Sequence, residues 1–148
     1  MNLILTSAGL KVDIVRDEVL KLFPKPPSEL KLVHIITAAN VAPDTDFVKR
    51  DKLALENAGF QVTDFDITDK SENELFEILK EFDIIYVQGG NGFYLLKHVR
   101  ESGFENVVRK LLDQGKWYIG VSAGTYICCP TIEMHKWKRE PENMYGLT

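Results

Sequence analysis

Gly120-Val121-Ser122-Ala123-Gly124 fits the pattern G-x-S-x-G. It follows an apolar run, Trp117–Val121, and precedes a helix-like stretch, so it stands at a strand-to-helix junction. A sharp turn there forces the serine into a strained backbone conformation. Small residues two before and two after it let strand and helix approach closely. The hydroxyl then points out of the turn, and the N-terminus of the following helix favours negative charge nearby. Ser122 is therefore expected to be a nucleophile, with a purely structural serine in a tight turn as the alternative.

A second cluster, Gln88-Gly89-Gly90-Asn91-Gly92, also ends an apolar strand-like run. Glycines at such a place let backbone N–H groups face a ligand unobstructed. The functional reading is half of an oxyanion hole. The N–H of Ala123, directly after the serine, would be the other half. Gly89 and Asn91, on either side of Gly90, are candidate substrate-binding residues. A phosphate cradle and a plain tight turn are the rivals. The cradle is disfavoured because no G-x-G-x-x-G follows the first strand and no P-loop lysine is present.

A serine nucleophile needs a base. The chain has three histidines. His34 lies among Val33, Ile35 and Ile36 and reads as a packed strand residue. His98 falls about two turns into the helix after the glycine loop, where a surface or packing role is expected. His135, in an irregular segment, has the one credible route to Ser122. Cys128 and Cys129 stand past the first turn of the elbow helix and are expected to be buried packing residues. As sequence neighbours they are poorly placed for a disulfide. No Cys or His spacing suggests zinc, so no zinc site is expected.

The elements that position these residues alternate along the chain. Strand-like segments are Asn2–Thr6, Leu30–Thr37, Phe60–Ile67, Phe82–Gln88 and Trp117–Val121. The third is more polar and is expected near an edge. Helix-like segments fall between them: one carrying Val12, Val15, Val19, Leu22 and Phe23, and one over Thr45–Ala58. A third opens with the capping box Ser71-Glu72-Asn73-Glu74, and two more lie around Phe93 and over Phe104–Leu112. A last short one is expected over Ala123–Cys129, limited by Pro130. Strands separated by helices pair in parallel. The expected fold is thus a three-layer αβα doubly wound sheet, with ligands beyond the carboxyl ends of its strands.

Composition agrees with a single ordinary domain. The chain has 148 residues, 45% hydrophobic and 27% charged, near the averages for globular proteins. A formal net charge of −4 gives no electrostatic case for nucleic acid or an anionic membrane surface. No run approaches the ~18 apolar residues of a membrane span, and the N-terminus lacks the basic start of a signal peptide. A reducing, cytoplasmic location is the simplest expectation for two adjacent cysteines.

Around the elbow, YIGVSAGTYICCPTIE resembles the nucleophile segment of the peptidase E family, the aspartyl dipeptidases related to cyanophycinase. IIYVQGGNGFYLLKHVRESGF resembles the same family's glycine loop and following helix, and HIITAAN also fits. The resemblance runs over nearly the whole chain. It implies a flavodoxin-like fold similar to class I glutamine amidotransferases, with serine as nucleophile, and hydrolysis of short peptides, typically dipeptides with N-terminal aspartate, with no metal and no cofactor. By this resemblance Ser122 matches the nucleophile and Gly90 and Ala123 the oxyanion donors. It also implies that the family's histidine, its acidic partner and its aspartate-recognising residues lie in a later segment. That segment is not reached by Thr148, and His135 falls too early to match the histidine.

The expectation is therefore a peptidase E-like domain over residues 1–148, incomplete at its C-terminus, acting on a short peptide. A homo-oligomer or a complementing C-terminal fragment are the open partners. The alternative is an inactive fragment or split-enzyme subunit serving as an interaction module.

Overall fold

Residues 1–134 are described by the computed structural model. Two adjacent strands carry the two motifs at their carboxyl ends. These are β4 (Ile84–Val87) and β5 (Trp117–Val121). The sheet around them also contains β1 (Asn2–Thr6), β2 (Lys31–Ile35) and β3 (Gln61–Phe65), in the order β1-β5-β4-β2-β3. All four pairings are parallel, with Tyr86 opposite both His34 and Ile119. A parallel sheet covered on both faces needs near-continuous apolar strands. β4 reads Ile-Ile-Tyr-Val and is buried throughout, whereas the edge strand β3 has only exposed and half-buried positions. The expected edge place of the third strand is thereby met.

Side-chain alternation along the strands divides the core. Val33, Ile35, Ile85, Val87 and Tyr118 face one layer. That layer holds α3 (Glu72–Leu79), α4 (Gly92–Ser102), α5 (Phe104–Asp113) and α6 (Ala123–Tyr126). Leu32, Ile84, Tyr86, Ile119 and Val121 face the other. There α1 (Asp13–Leu20) contributes Val19 and α2 (Asp46–Asn57) contributes Leu55. The result is the three-layer αβα domain expected from the alternation of segments.

Local chemistry sets the element ends. α3 begins at the expected capping box: Ser71 Oγ accepts from the Glu74 N–H at 3.3 Å, and Glu74 Oε2 accepts from the Ser71 N–H at 2.8 Å. β2 stops two residues short of the expected Thr37. The Thr37 hydroxyl donates to Asp66 Oδ1 at 2.8 Å and accepts from the Ile67 N–H at 3.1 Å. These bonds draw Thr37–Ala39 into a 3-10 turn beside the end of β3. The elbow helix is also shorter than expected. After Tyr126, the N–H groups of Cys128 and Cys129 bond three residues back, to Thr125 and Tyr126, which tightens the chain ahead of Pro130.

Candidate active site

Ser122 has φ 48° and ψ −103°, a backbone conformation that side chains rarely adopt. Hydrogen bonds on both sides hold it there. Its N–H donates to Thr6 O at 3.0 Å, and its carbonyl accepts from the N–H groups of Thr125 and Tyr126 at 2.9 Å each. The Thr125 hydroxyl donates to Thr6 O at 2.7 Å and accepts from the Thr6 N–H at 3.2 Å, which stitches α6 to β1.

The flanking glycines are required by space. A Cβ on Gly120 would lie 2.6 Å from Gly124 O, and one on Gly124 would lie 2.1 Å from Val87 O. Strand, helix and neighbouring strand thus meet backbone to backbone. The Tyr118 hydroxyl donates to Gly124 O at 2.6 Å. Burial pushes that phenol well above its ordinary value, and the adjacent Cys128 adds to the shift, so the hydroxyl stays a neutral donor.

The glycine loop lies directly against the serine. A Cβ on Gly89 would come within 3.2 Å of Ser122 Cβ and 3.9 Å of Ala123 N. Gly90 has φ 143°, and a Cβ there would lie 2.3 Å from Ala38 O. The same Ala38 carbonyl accepts from the Asn91 N–H at 2.7 Å. The structure therefore brings Gly89, Gly90, Ser122 and Ala123 together. Neither the Gly90 nor the Ala123 N–H has an acceptor among the described residues. Two such donors beside a serine can hold an oxyanion. Asn91 borders this cluster as the N-cap of α4, its Oδ1 accepting from the Tyr94 N–H at 3.0 Å. With only four residues, α6 offers the Ala123 N–H itself rather than a sizeable macrodipole.

The histidines separate clearly. His34 is fully buried in the layer of α2, with Nε2 2.7 Å from Gln88 Oε1 and Nδ1 2.9 Å from Asp64 Oδ1. It is a strand residue as expected, but it is held by polar partners. His98 is buried against Tyr94, with Glu101 3.4 Å from its Nδ1. Both have ring contacts of their own, which leaves them poor candidates for a base. His135 lies outside the described residues. The cysteines depart from expectation: Cys128 is exposed and Cys129 half-buried, because the short α6 carries them past the core.

The polar cluster around His34 was not legible in the sequence. Gln88 Nε2 donates to Asp51 Oδ2 at 2.7 Å, and Asp51 pairs with Lys11 across 2.7 Å. Lys52 pairs with Asp64 at 3.0 Å. A glutamine ending an otherwise apolar strand was the one available signal.

A cavity of about 770 Å³ lies elsewhere, between β1, α5 and the segment after α6. Leu3, Phe104, Tyr118, Ile127 and Cys128 line it, and Ser122 does not. Among the described residues no group of three or more His, Cys, Asp and Glu side chains could hold a metal ion. No described helix is long and apolar enough to cross a membrane.

The sequence model of Peptidase family S51 matches residues 3–148. Uncharacterized peptidase Lmo0363 of Listeria monocytogenes is 37% identical over 134 residues, which are 88% of this chain and 62% of that protein. Peptidase E of Salmonella arizonae is 45% identical over 56 residues, covering 38% of this chain and 24% of that one. A crystal structure of a protein from Listeria monocytogenes EGD-e superposes with a TM-score of 0.76 at 33% identity, over 88% of this chain and 63% of that one. A peptidase from an acI-B1 Actinobacterium shares the fold, with a TM-score of 0.65 at 20% identity, over 84% and 55% of the two chains.

Proposed function

The chain belongs to peptidase family S51, and from that premise we propose that it hydrolyses short peptides through an acyl-enzyme on Ser122. The strained Ser122 backbone, at φ 48° and ψ −103° with Gly89 packed against it, carries this reading. Ser122 Oγ attacks the scissile carbonyl carbon. The carbonyl oxygen becomes an oxyanion and takes hydrogen bonds from the N–H groups of Gly90 and Ala123. The serine proton passes to a base and then to the leaving amine as the C–N bond breaks. Water hydrolyses the resulting ester and restores the serine. Gly89 and Asn91 border the path of the substrate. The substrate class that the family resemblance favours is a dipeptide with N-terminal aspartate.

The base is the part that the described residues do not supply, since His34 and His98 are held by Asp64, Gln88 and Glu101. The chain spans 62% of the length of its Listeria relative. A base borne on a segment equivalent to the remainder of that relative completes the proposed mechanism.

A fluorophosphonate probe tests the nucleophile directly. Mass spectrometry is expected to place the adduct on Ser122, and Ser122→Ala to abolish it. Absence of labelling would overturn the reading in favour of a non-catalytic interaction module. Brisk dipeptide turnover that survives loss of His135 would show that a different group is the base.

A further inference from the structure

Beneath the glycine loop lies a polar chain that the proposed mechanism does not use. Its centre is Gln88, 2% exposed, the residue immediately before Gly89. A carboxylate only accepts hydrogen bonds, so the amide nitrogen of Gln88 must face Asp51, as its 2.7 Å contact to Oδ2 has it. Gln88 Oε1 then faces His34 Nε2 at 2.7 Å, which must donate. On the far side of the ring Asp64 Oδ1 lies 2.9 Å from Nδ1. Lys11 and Lys52 close the two ends. Asp51 is 1% exposed, and its Oδ1 meets the Lys11 ammonium off the hydrogen-bonding direction.

Such a chain is a costly way to fill a core. Buried ionic groups are often matched or bettered in stability by apolar side chains of the same volume. What this one provides is geometry. It ties the end of β4 to α2 through Asp51, to the segment after β1 through Lys11, and to β2 and β3 through His34 and Asp64. The Gln88 main chain is fixed as well, its N–H donating to Ile35 O at 3.0 Å. One residue later the chain must present Gly89 against Ser122 and turn Gly90 to φ 143°.

We infer that Gln88 is a positioning residue: clamped between Asp51 and His34, it aims the Gly89–Gly90 peptides at the oxyanion of a substrate held on Ser122. The inference rests on the proposed roles of Ser122 and Gly90.

The test compares the full chain with Gln88→Met, which keeps side-chain length and loses both hydrogen bonds. A pair of changes, Gln88→Glu with Asp51→Asn, moves the negative charge by one residue and restores a donor facing an acceptor at every step. Two readings are taken. The first is amide hydrogen exchange at Asn91, whose N–H reports the loop through Ala38 O, against Ile119 in the sheet. The second is the rate of Ser122 phosphonylation, split into its saturation constant and its maximal rate.

In Gln88→Met, Asn91 exchange is expected to rise about tenfold beyond any rise at Ile119. The maximal phosphonylation rate is expected to fall about tenfold or more with the saturation constant unchanged, as misalignment of donors demands. The charge-moved pair should return both readings to within about threefold of the original chain. If Gln88→Met does not fold, His34→Gln serves in its place: it keeps a donor for Gln88, drops Asp64, and should shift Asn91 in the same direction. An Asn91 change no larger than that at Ile119 overturns the inference and leaves Gln88 a stabilising residue only. If the unaltered chain is not phosphonylated at all, the reading of Ser122 fails, and Asn91 exchange still decides whether Gln88 holds the loop.

Discussion

Replacing Ser122 by glycine should make the protein more stable than replacing it by alanine. The backbone there has φ 48° and ψ −103°, a conformation that costs a residue with a Cβ about 1–3 kcal/mol. Glycine adopts it without that cost but loses more chain entropy on folding, about 0.5–1 kcal/mol relative to alanine. The balance favours glycine over alanine by up to about 2.5 kcal/mol, with a central value of about 1 kcal/mol, or about 2–4 °C in melting temperature for a domain of this size. Comparing the two variants with each other removes the hydroxyl from the argument, because both lack it. Urea unfolding followed by far-UV circular dichroism gives the difference, with equal slopes showing that the unfolded states are comparable. Neither variant should be phosphonylated. An alanine variant equal to or more stable than the glycine variant would refute the claim that the elbow stores strain.

Two further outcomes follow from the geometry of the site. Gly124→Ala should cost more than about 3 kcal/mol, the upper end of ordinary overpacking, because its Cβ would sit 2.1 Å from a backbone oxygen, Val87 O. Gly115→Ala, at φ 87° with nothing within 4 Å, should cost only the roughly 1–2 kcal/mol of the backbone term, and chemical denaturation of both variants checks the contrast. At Asp66, burial pushes the carboxyl up, but hydrogen bonds from the Thr68 N–H and hydroxyl, Asn40 and Thr37 outweigh it and hold it below its ordinary 3.8. A depressed carboxylate stabilises the fold above the unfolded-state value and loses that contribution as pH falls through the folded one. Urea midpoints should therefore drop below about pH 4, and Asp66→Asn should be weaker at neutral pH with a shallower acid loss.

Much of the site was legible because it is backbone chemistry. Gly120, Gly124, Gly89 and Gly90 are small for steric reasons, and such positions leave a mark in residue type that periodicity then places at strand ends. The capping box at Ser71 and the polar edge strand β3 were legible for the same reason: a local rule and a local residue coincide. The polar chain through Gln88 was not. Its members Lys11, His34, Asp51, Asp64 and Gln88 are scattered over the sequence, and the order β1-β5-β4-β2-β3 is what brings them together. His34 illustrates the limit. A histidine within an apolar strand reads as packing, and only the register of β2 against β3 and β4 supplies Asp64 and Gln88 as its neighbours. The short reach of the elbow helix was equally hidden, since the tightening at Cys128 and Cys129 depends on hydrogen bonds rather than on pattern.

The two glycine motifs are one steric unit. Gly124 lacks a Cβ because the carbonyl of Val87, at the end of β4, occupies that space. Gly89, two residues after Val87, faces Ser122 so closely that a Cβ there would lie a tight 3.2 Å from Ser122 Cβ and from Val121 O. Each motif is therefore small where the other passes. This mutual contact sets how closely the elbow and the glycine loop lie, and at Gly124 it does so with a backbone oxygen, which cannot move out of the way by changing rotamer. A serine elbow next to a bulkier β4 terminus would have to ride away from the glycine loop. The spacing between the elbow and the glycine loop is thus a consequence of how closely β4 and α6 can approach, and G-x-S-x-G is the half of that requirement written on the serine's own segment.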